Sequence, residues 1–451
     1  MRLIILLGMR PIEKLTFEAS ISRLRSHFRS LENKDSVASC EYRLSDILLS
    51  GFAMLFFQDP SLLQFQERLL QRKGKCNLQT LFGVCAVPKD SQMRARLDEV
   101  EAESVRVLLP TVFEQVRRTG WAREWCTQIS DGMNAGSYYV MALDGSDYFS
   151  SEAIHCPQCL VRKDKTGELH YRHTVVAATL VKSGKRLILP LDAEVCAPQD
   201  GSEKQDCELT AAKRLVRRVR AEHPHLSVIV TADDLFSHVP FAEECQKARL
   251  HYVVVAKPDS HEELFEWVED LEKLKESEHV EWSVGPLCSR KFYHARIVRE
   301  VPLRADEQVI VNFVEVWEKD QAGTEIYHNS WVTDVEVTKR NVSEIVGIGR
   351  AKWKIENEQF NIQKNHGYHL AHNYGHGKKN LSAVFYYLNL LAYLMHIILE
   401  RGDQEFQRAR ATVRSREAFW SELRTLMRRL LWESWHHLME FVGSEELASS
   451  P

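Results

Sequence analysis

The chain has almost no net charge, no apolar run of membrane-spanning length, no internal repeat and no low-complexity tract. Its 59 Lys and Arg nearly cancel its 63 Asp and Glu, leaving a formal charge of −4. That excludes a simple basic nucleic-acid coat, which binds through a large positive excess. The strongly apolar stretch Phe385 to Leu399 is interrupted by Asn389 and His396, and it falls short of the roughly 20 residues that a spanning helix needs. A buried core helix is expected there, with no membrane partner. The opening MRLIILLGM has one basic residue and an apolar run too short for a secretory signal, and is expected to be a start-site artefact or a poorly ordered leader. Ten cysteines are spread through a large chain without a compact framework, so reduced thiols in a cytoplasmic protein are the default expectation.

What is present starts with length. A chain of 451 residues has room for a sizeable core and more than one domain. Residues 15–130 carry apolar positions at helical spacing, as in Tyr42 to Phe57 and Ala102 to Leu109, punctuated by Asp59-Pro60, by Val87 to Asp90 and by Pro110. They are expected to form a helical N-terminal domain. From Tyr138 the pattern changes to strands, at Tyr138 to Leu143, Thr174 to Val181, Arg186 to Ala193, Ser227 to Ala232 and Tyr252 to Ala256. Helices from Gln205 to Glu222 and from Val239 to Arg249 precede the last two. Three strands followed by alternating helix and strand predict an α/β class with a ribonuclease-H-like mixed sheet. Further strands, with Asp320 to Gly323 as a hairpin turn, are expected over about 262–335. Helices are expected again at Val342 to Lys364 and Leu381 to Arg401. The core thus runs over 135–400, followed by a helical C-terminal region, 401–451, whose amphipathic run Phe419 to Val442 offers a dimer interface and whose final SSP is a frayed tail.

Asp144 and Asp233 each stand where a β-branched, apolar run ends, and Glu356 lies in the helical-looking GRAKWKIENEQF. In an open α/β sheet, ligands gather beyond the carboxyl ends of the strands, so an acid placed there faces substrate on a fixed backbone. Mg²⁺ takes a few carboxylate oxygens plus water and phosphate, and two ions about 3.5–4 Å apart clamp both reacting oxygens of a phosphodiester. Strand-end aspartates also serve as turn formers. Asp234 is expected to cap its turn, and Asp147 either assists Asp144 or is ordinary turn chemistry.

The order Asp, Asp, Glu, with TADDLF around the second acid and RAKWKIENEQFNIQK around the third, resembles the DDE transposases of bacterial insertion sequences, the cut-and-paste group with a ribonuclease-H-like core. EKQDCELTAAKRL from Glu203, HYVVVAKPDSH from His251 and NSWVTDVEV from Asn329 are similar to that family too, and the resemblance spans roughly Leu44 to Leu399. It implies that Asp144, Asp233 and Glu356 are catalytic and hold Mg²⁺ or Mn²⁺, as two ions. It also implies a β-rich insertion into the core at about 262–335, double-stranded DNA as partner (element ends and target), a homodimer in the synaptic complex, and an N-terminal region that helps bind terminal DNA. In much of the family a tyrosine stands seven residues before the glutamate, a basic residue four before it and a lysine seven after it. Here these positions are Gly349, Lys352 and Gln363, with Arg350 and Lys364 one place away from the first and last. Two other readings of the same residues stay open: a nuclease with this core but no strand transfer, and a non-catalytic DNA-binding regulator of transposase descent.

Arg350, Lys352 and Lys364 lie on or near the glutamate's helix and are candidate phosphate contacts, with an intrahelical ion pair as the plain alternative for Lys352 and Glu356. Lys378 and Lys379, with Asn373 and His376 in HGYHLAHNYGHGKKN, form a second candidate DNA contact or a bland polar loop. Basic clusters from Lys213 to Arg220 and from Arg408 to Arg429 suit either DNA or a solvated helix face. Cys156, Cys159, His170 and His173 have spacings that could close a tetrahedral zinc site. Their alternative is reduced cysteines in a hairpin, because His170 and His173 are an odd number of residues apart along a strand and so point to opposite faces.

Overall fold

A computed structural model describes residues 15–32, 42–70, 72–130, 135–200, 204–305 and 309–444. The opening leader, Glu203 and the final SSP lie outside the described residues. The chain divides into two compact units, one containing 15–122, 147–173 and 360–444, the other Arg123–Ser146 and Thr174–Gln359.

The first unit gathers helices from both ends of the chain. Leu44–Phe56 is mostly apolar and twelve of its thirteen residues are buried, which requires neighbours on every side. One neighbour is Leu381–Gly402, whose side chains from Val384 to Leu399 are buried in the fold. At 22 residues this helix is longer than the apolar run Phe385 to Leu399 suggests and, contrary to the expectation, is long and apolar enough to cross a bilayer, but it is mostly buried inside the protein. Aromatic packing locks the two ends together: Phe17 stacks on Trp435 at 4.1 Å, and Phe56 meets Trp420 edge-on at 5.3 Å. Asn77 adds a polar clamp, donating to the carbonyls of Met427 and Leu430 at 2.8 and 2.6 Å and accepting from the Trp432 amide at 2.7 Å. The N-terminal and C-terminal helical regions therefore form one unit, not two domains, and residues 360–400 belong with them. In Arg416–Arg429 and Trp435–Gly443 the apolar face turns inward, burying Phe419, Trp420, Leu423, Met427, Trp435 and Leu438. Pro110 does not break the chain as expected; it sits in the first turn of Leu108–Arg118, where an amide has no intrahelical partner to lose.

The strands form a mixed sheet: β1 (Cys126–Ser130), β2 (Ala135–Ser151), β3 (Leu160–Lys163), β4 (Leu169–Val181), β5 (Leu189–Val195), β6 (Val228–Ala232), β7 (His251–Val255), β8 (Glu278–Val284), β9 (Lys291–Pro302), β10 (Ile310–Lys319) and β11 (Glu325–Thr333). The second unit orders them β5-β4-β2-β6-β7-β11-β10-β9-β8, with β1 beside β2. β3 pairs with the early residues of β4 in the first unit. β2, β6 and β7 are parallel, and parallel neighbours need crossover connections. Helices Lys204–Glu222 and Val239–Lys247 supply them. All five residues of β6 are buried, as expected for a strand covered on both faces. The expected insertion is an antiparallel meander, β8 to β11, and it extends the same sheet because β11 pairs with β7.

The arginines of Lys204–Glu222 bind within the unit. Arg214 pairs with Glu194 at 2.6 Å, Arg218 with Asp192 at 2.8 Å and Arg217 with Glu244 at 2.7 Å. Arg220 donates to the carbonyls of Ala248 and Leu226 at 2.6 and 3.1 Å. This basic cluster clamps the helix to β5 and to its neighbours.

The long helix expected from Val342 to Lys364 is broken into Val342–Ala351, Trp353–Ile355, a π turn at Glu356–Phe360, and Asn361–Asn365. Val342–Ala351 lies on β1, β6, β7 and β10, burying Ile345, Val346 and Ile348. A β-carbon at Gly349 would run into the buried Trp331 indole. This explains why no tyrosine stands here. Gly349→Ala should therefore lower unfolding free energy in urea by about 1–2 kcal/mol, the overpacking penalty outweighing the roughly 1 kcal/mol gain in helix propensity.

Candidate active site

β2 does not stop at Leu143 as the sequence suggests but runs on to Ser151, so Asp144 lies inside a strand. What ends near it is the parallel pairing with β6, whose last register pair is Ala142 with Thr231. Two residues beyond that pair come Asp144, still on β2, and Asp233, just past the end of β6 and still extended. Side chains alternate with period two, so both keep the facing of that last pair and stand side by side. Asp233 directly follows β6 and leads into a short 3₁₀ turn, Asp234–Phe236. Glu356 opens the π turn, a feature that recurs at functional sites in helices. The end of that turn is tied to β4 by a hydrogen bond from Thr179 Oγ1 to the Gln359 side chain.

Carboxylate oxygens of Asp144, Asp233 and Glu356 lie within 4.8 Å of one another. Among them sits the Lys352 ammonium, 2.8 Å from Glu356 Oε1, 3.5 Å from Asp144 Oδ1 and in direct contact with Asp233 Oδ2. Lys352 is only 5 % exposed. Burial works against its charge, but Asp144 and Asp233 outweigh that and raise its pKa above the ordinary lysine value. Three carboxylates against one ammonium leave two negative charges uncompensated when all are ionised, and the donors are all hard oxygens. That set fits a divalent cation such as Mg²⁺ or Mn²⁺ better than a softer metal.

A fourth carboxylate stands close by. Glu208, on Lys204–Glu222, is 7 % exposed, and any side chain at Gly145 would strike its carboxyl group. The sequence signal for Glu208 is the segment EKQDCELTAAKRL, whose individual acids carried no assigned role. Asp144, 8 % exposed, feels all of these groups. Burial pushes its pKa up from 3.8 to about 7, Lys352 opposes the shift, and Asp233, Glu356 and Glu208 add to it.

The neighbouring acids are occupied elsewhere. Asp234 accepts from the Lys257 amide at 2.8 Å and from Ser260 Oγ at 2.7 Å, bracing the turn after β7. In the first unit Asp147 pairs with Arg172 at 3.2 Å. Glu358 lies 3.8 Å from Arg186.

Of the candidate DNA contacts, only Lys352 is at the acids. Arg350 is paired with Glu318 and lies 4.2 Å over the Tyr327 ring, tying its helix to the inserted hairpin. In the first unit Lys364 lies along Phe360 at 6.0 Å, and Gln363 is fully buried, donating to Asn389 at 3.1 Å. Lys379 Nζ pairs with Glu99 at 2.8 Å, while the amides of Lys378 and Lys379 donate to Asp98 at 2.8 and 2.9 Å. The Lys378 side chain is exposed.

The zinc candidates need one correction. Cys156, Cys159 and His173 come together, but His170 does not join them; it turns to Asp164, 3.4 Å away. Three residues apart on β4, the two histidines take opposite faces. The fourth side chain at the cysteines is His376, which the sequence offered only as a DNA contact.

No protein-family model matches this chain, and no curated protein sequence is significantly similar to it.

Asp144 makes stability depend on pH. Its folded pKa is raised, so the folded chain holds a proton that the unfolded chain releases between about pH 4 and about pH 7. This contribution is complete below pH 4 and is lost as pH rises through about 7. In metal-free buffer, wild type should lose roughly 2–4 kcal/mol relative to Asp144→Asn across that window, measured by urea unfolding. No loss across that window would mean that Lys352 holds Asp144 ionised in the folded chain as well.

Proposed function

We propose that this chain is a DNA transposase of the DDE class, cleaving DNA at the ends of a mobile element and joining the freed ends to target DNA. The observation that carries the reading is the convergence of Asp144, Asp233 and Glu356, from three distant parts of the chain, around one buried ammonium. The strand order supports a ribonuclease-H-like core: β4 and β5 lie on one side of β2, with β6 and β7, each preceded by a helix, on the other.

Bound at the three carboxylates, Mg²⁺ or Mn²⁺ would supply an activated water or 3′-hydroxyl and neutralise charge on the phosphodiester. The chain's own contribution is placement. Asp144 lies on β2, Asp233 immediately after the paired strand β6, and Glu356 completes the set from the π turn beyond a helix packed on β6. Lys352, one helical turn before Glu356, keeps the acids together without a metal and is the cation placed to meet a phosphate oxygen. No covalent bond between protein and DNA is required, since the carboxylates only hold and orient. The partners on this reading are double-stranded element ends and target DNA, handled by two protomers in the cytoplasm.

The test is incubation of the full chain with a labelled duplex carrying the DNA that flanks its coding sequence, plus a target duplex, with Mg²⁺ or Mn²⁺. Metal-dependent cuts with 3′-hydroxyl ends, and joined products with new target junctions, are expected. Asp144→Asn, Asp233→Asn and Glu356→Gln should each reduce cutting at least about a hundredfold, the scale on which a misplaced group in a reacting cluster is felt. Cutting without joined products would replace the transposase by a nuclease. Binding by a folded wild type with no cutting under either metal would leave a DNA-binding regulator.

A further inference from the structure

The first unit holds a second cluster of ligating side chains that the proposed reaction does not use. Cys156-Pro157-Gln158-Cys159 closes a tight turn, with the Cys159 amide donating to the Cys156 carbonyl at 3.1 Å. The Cys156 amide points at Cys159 Sγ from 3.3 Å, an orientation that favours a thiolate. Both cysteines are free and buried. His173, on β4 and 2 % exposed, brings Nε2 to 3.4 Å from each sulfur. His376, 217 positions beyond Cys159, brings Nδ1 to 3.7 Å from Cys159 Sγ. The two sulfurs are 3.7 Å apart, and all four ligand atoms lie within 4.8 Å of one another.

These spacings can be compared with a tetrahedral zinc ion. Bonds of about 2.3 Å to sulfur and about 2.0–2.1 Å to nitrogen place ligand atoms about 3.8 Å apart for two sulfurs and about 3.5 Å for sulfur and nitrogen. The four spacings, 3.7, 3.4, 3.4 and 3.7 Å, fall within about 0.2 Å of those edges.

The position of His376 is built independently of the cysteines. It stands between Gly375 (φ +122°) and Gly377 (φ +65°), backbone conformations that other residues rarely adopt. A β-carbon at Gly377 would collide with Asp98. Asp98 in turn accepts the amides of Lys378, Lys379, Asn380 and Leu381 at 2.8 to 3.0 Å, pinning the loop at the start of Leu381–Gly402. Phe149 lies edge-on to the His376 ring at 3.9 Å, and Tyr148 stacks near His173 at 5.7 Å, so aromatic rings flank both histidines.

We propose that Cys156, Cys159, His173 and His376 bind one structural zinc ion. Four protein ligands fill a tetrahedral site and leave no open position, so the ion does no chemistry. It ties the cysteine turn and β4 to the loop after Asn361–Asn365.

The test is metal content of the full chain purified from zinc-supplemented cells without chelator. One zinc per chain is expected, retained on dialysis, with Co²⁺ exchange giving thiolate charge-transfer and tetrahedral visible bands. Cys159→Ser and His376→Ala should lower zinc content to near zero, while His170→Ala and Glu356→Gln keep it. His376→Cys preserves a zinc ligand and should retain the ion, which covers the case in which His376→Ala does not fold. A folded wild type without zinc would overturn the proposal, as would zinc lost with His170→Ala but kept with His376→Ala. So would two thiols fewer than expected in a thiol count under denaturing, non-reducing conditions, since that would make the pair a disulfide.

Discussion

The buried ammonium of Lys352 is the interaction on which the acid site depends. Three carboxylates drawn within 4.8 Å of one another repel strongly in a partly desolvated place, and such a cluster forms only if a cation joins it or protons bind. Both responses are visible: Lys352 remains charged, and Asp144 shifts toward the protonated form. The fold thus holds three carboxylates together without any cation other than Lys352 at the site among the described residues.

The same economy governs charge elsewhere. The cluster from Lys213 to Arg220 looks like a DNA-binding face in sequence, yet Arg214, Arg217 and Arg218 meet Glu194, Glu244 and Asp192. Arg350 is likewise committed to Glu318. A nearly neutral chain uses much of its positive charge as internal clamps, and only the pairing of each cation separates such a clamp from a nucleic-acid contact.

Much of the sheet was legible because each strand carries local chemistry: β-branched apolar runs, turn residues between them, and helices at crossover length. The meander β8 to β11 could be read the same way, down to the Asp320 turn, where Oδ1 accepts from Ala322 and Thr324 at 2.9 Å. The grouping of the helices could not. Phe17 on Trp435 and Asn77 on Trp432 are contacts between residues hundreds of positions apart, and the amphipathic face that such a helix presents looks the same whether its partner is a second copy or its own chain. The glycine at 349 looked like a departure until Trp331 appeared beneath it.

By itself the sequence determined the mixed α/β class, three candidate acids in chain order on widely separated elements, and a closely spaced pair of cysteines. These follow from period, turn chemistry and local spacing, which act over a few residues. Tertiary structure alone decided which groups meet: the register that sets Asp144 beside Asp233, the lodging of Lys352 among the acids, the nearness of Glu208, and His376 rather than His170 at the cysteines. Each of these depends on long-range strand pairing or on a loop fixed by distant groups. Strand alternation keeps His170 and His173 from sharing the site, but only the folded chain decided that His173 is the one beside the cysteines and brought His376 in.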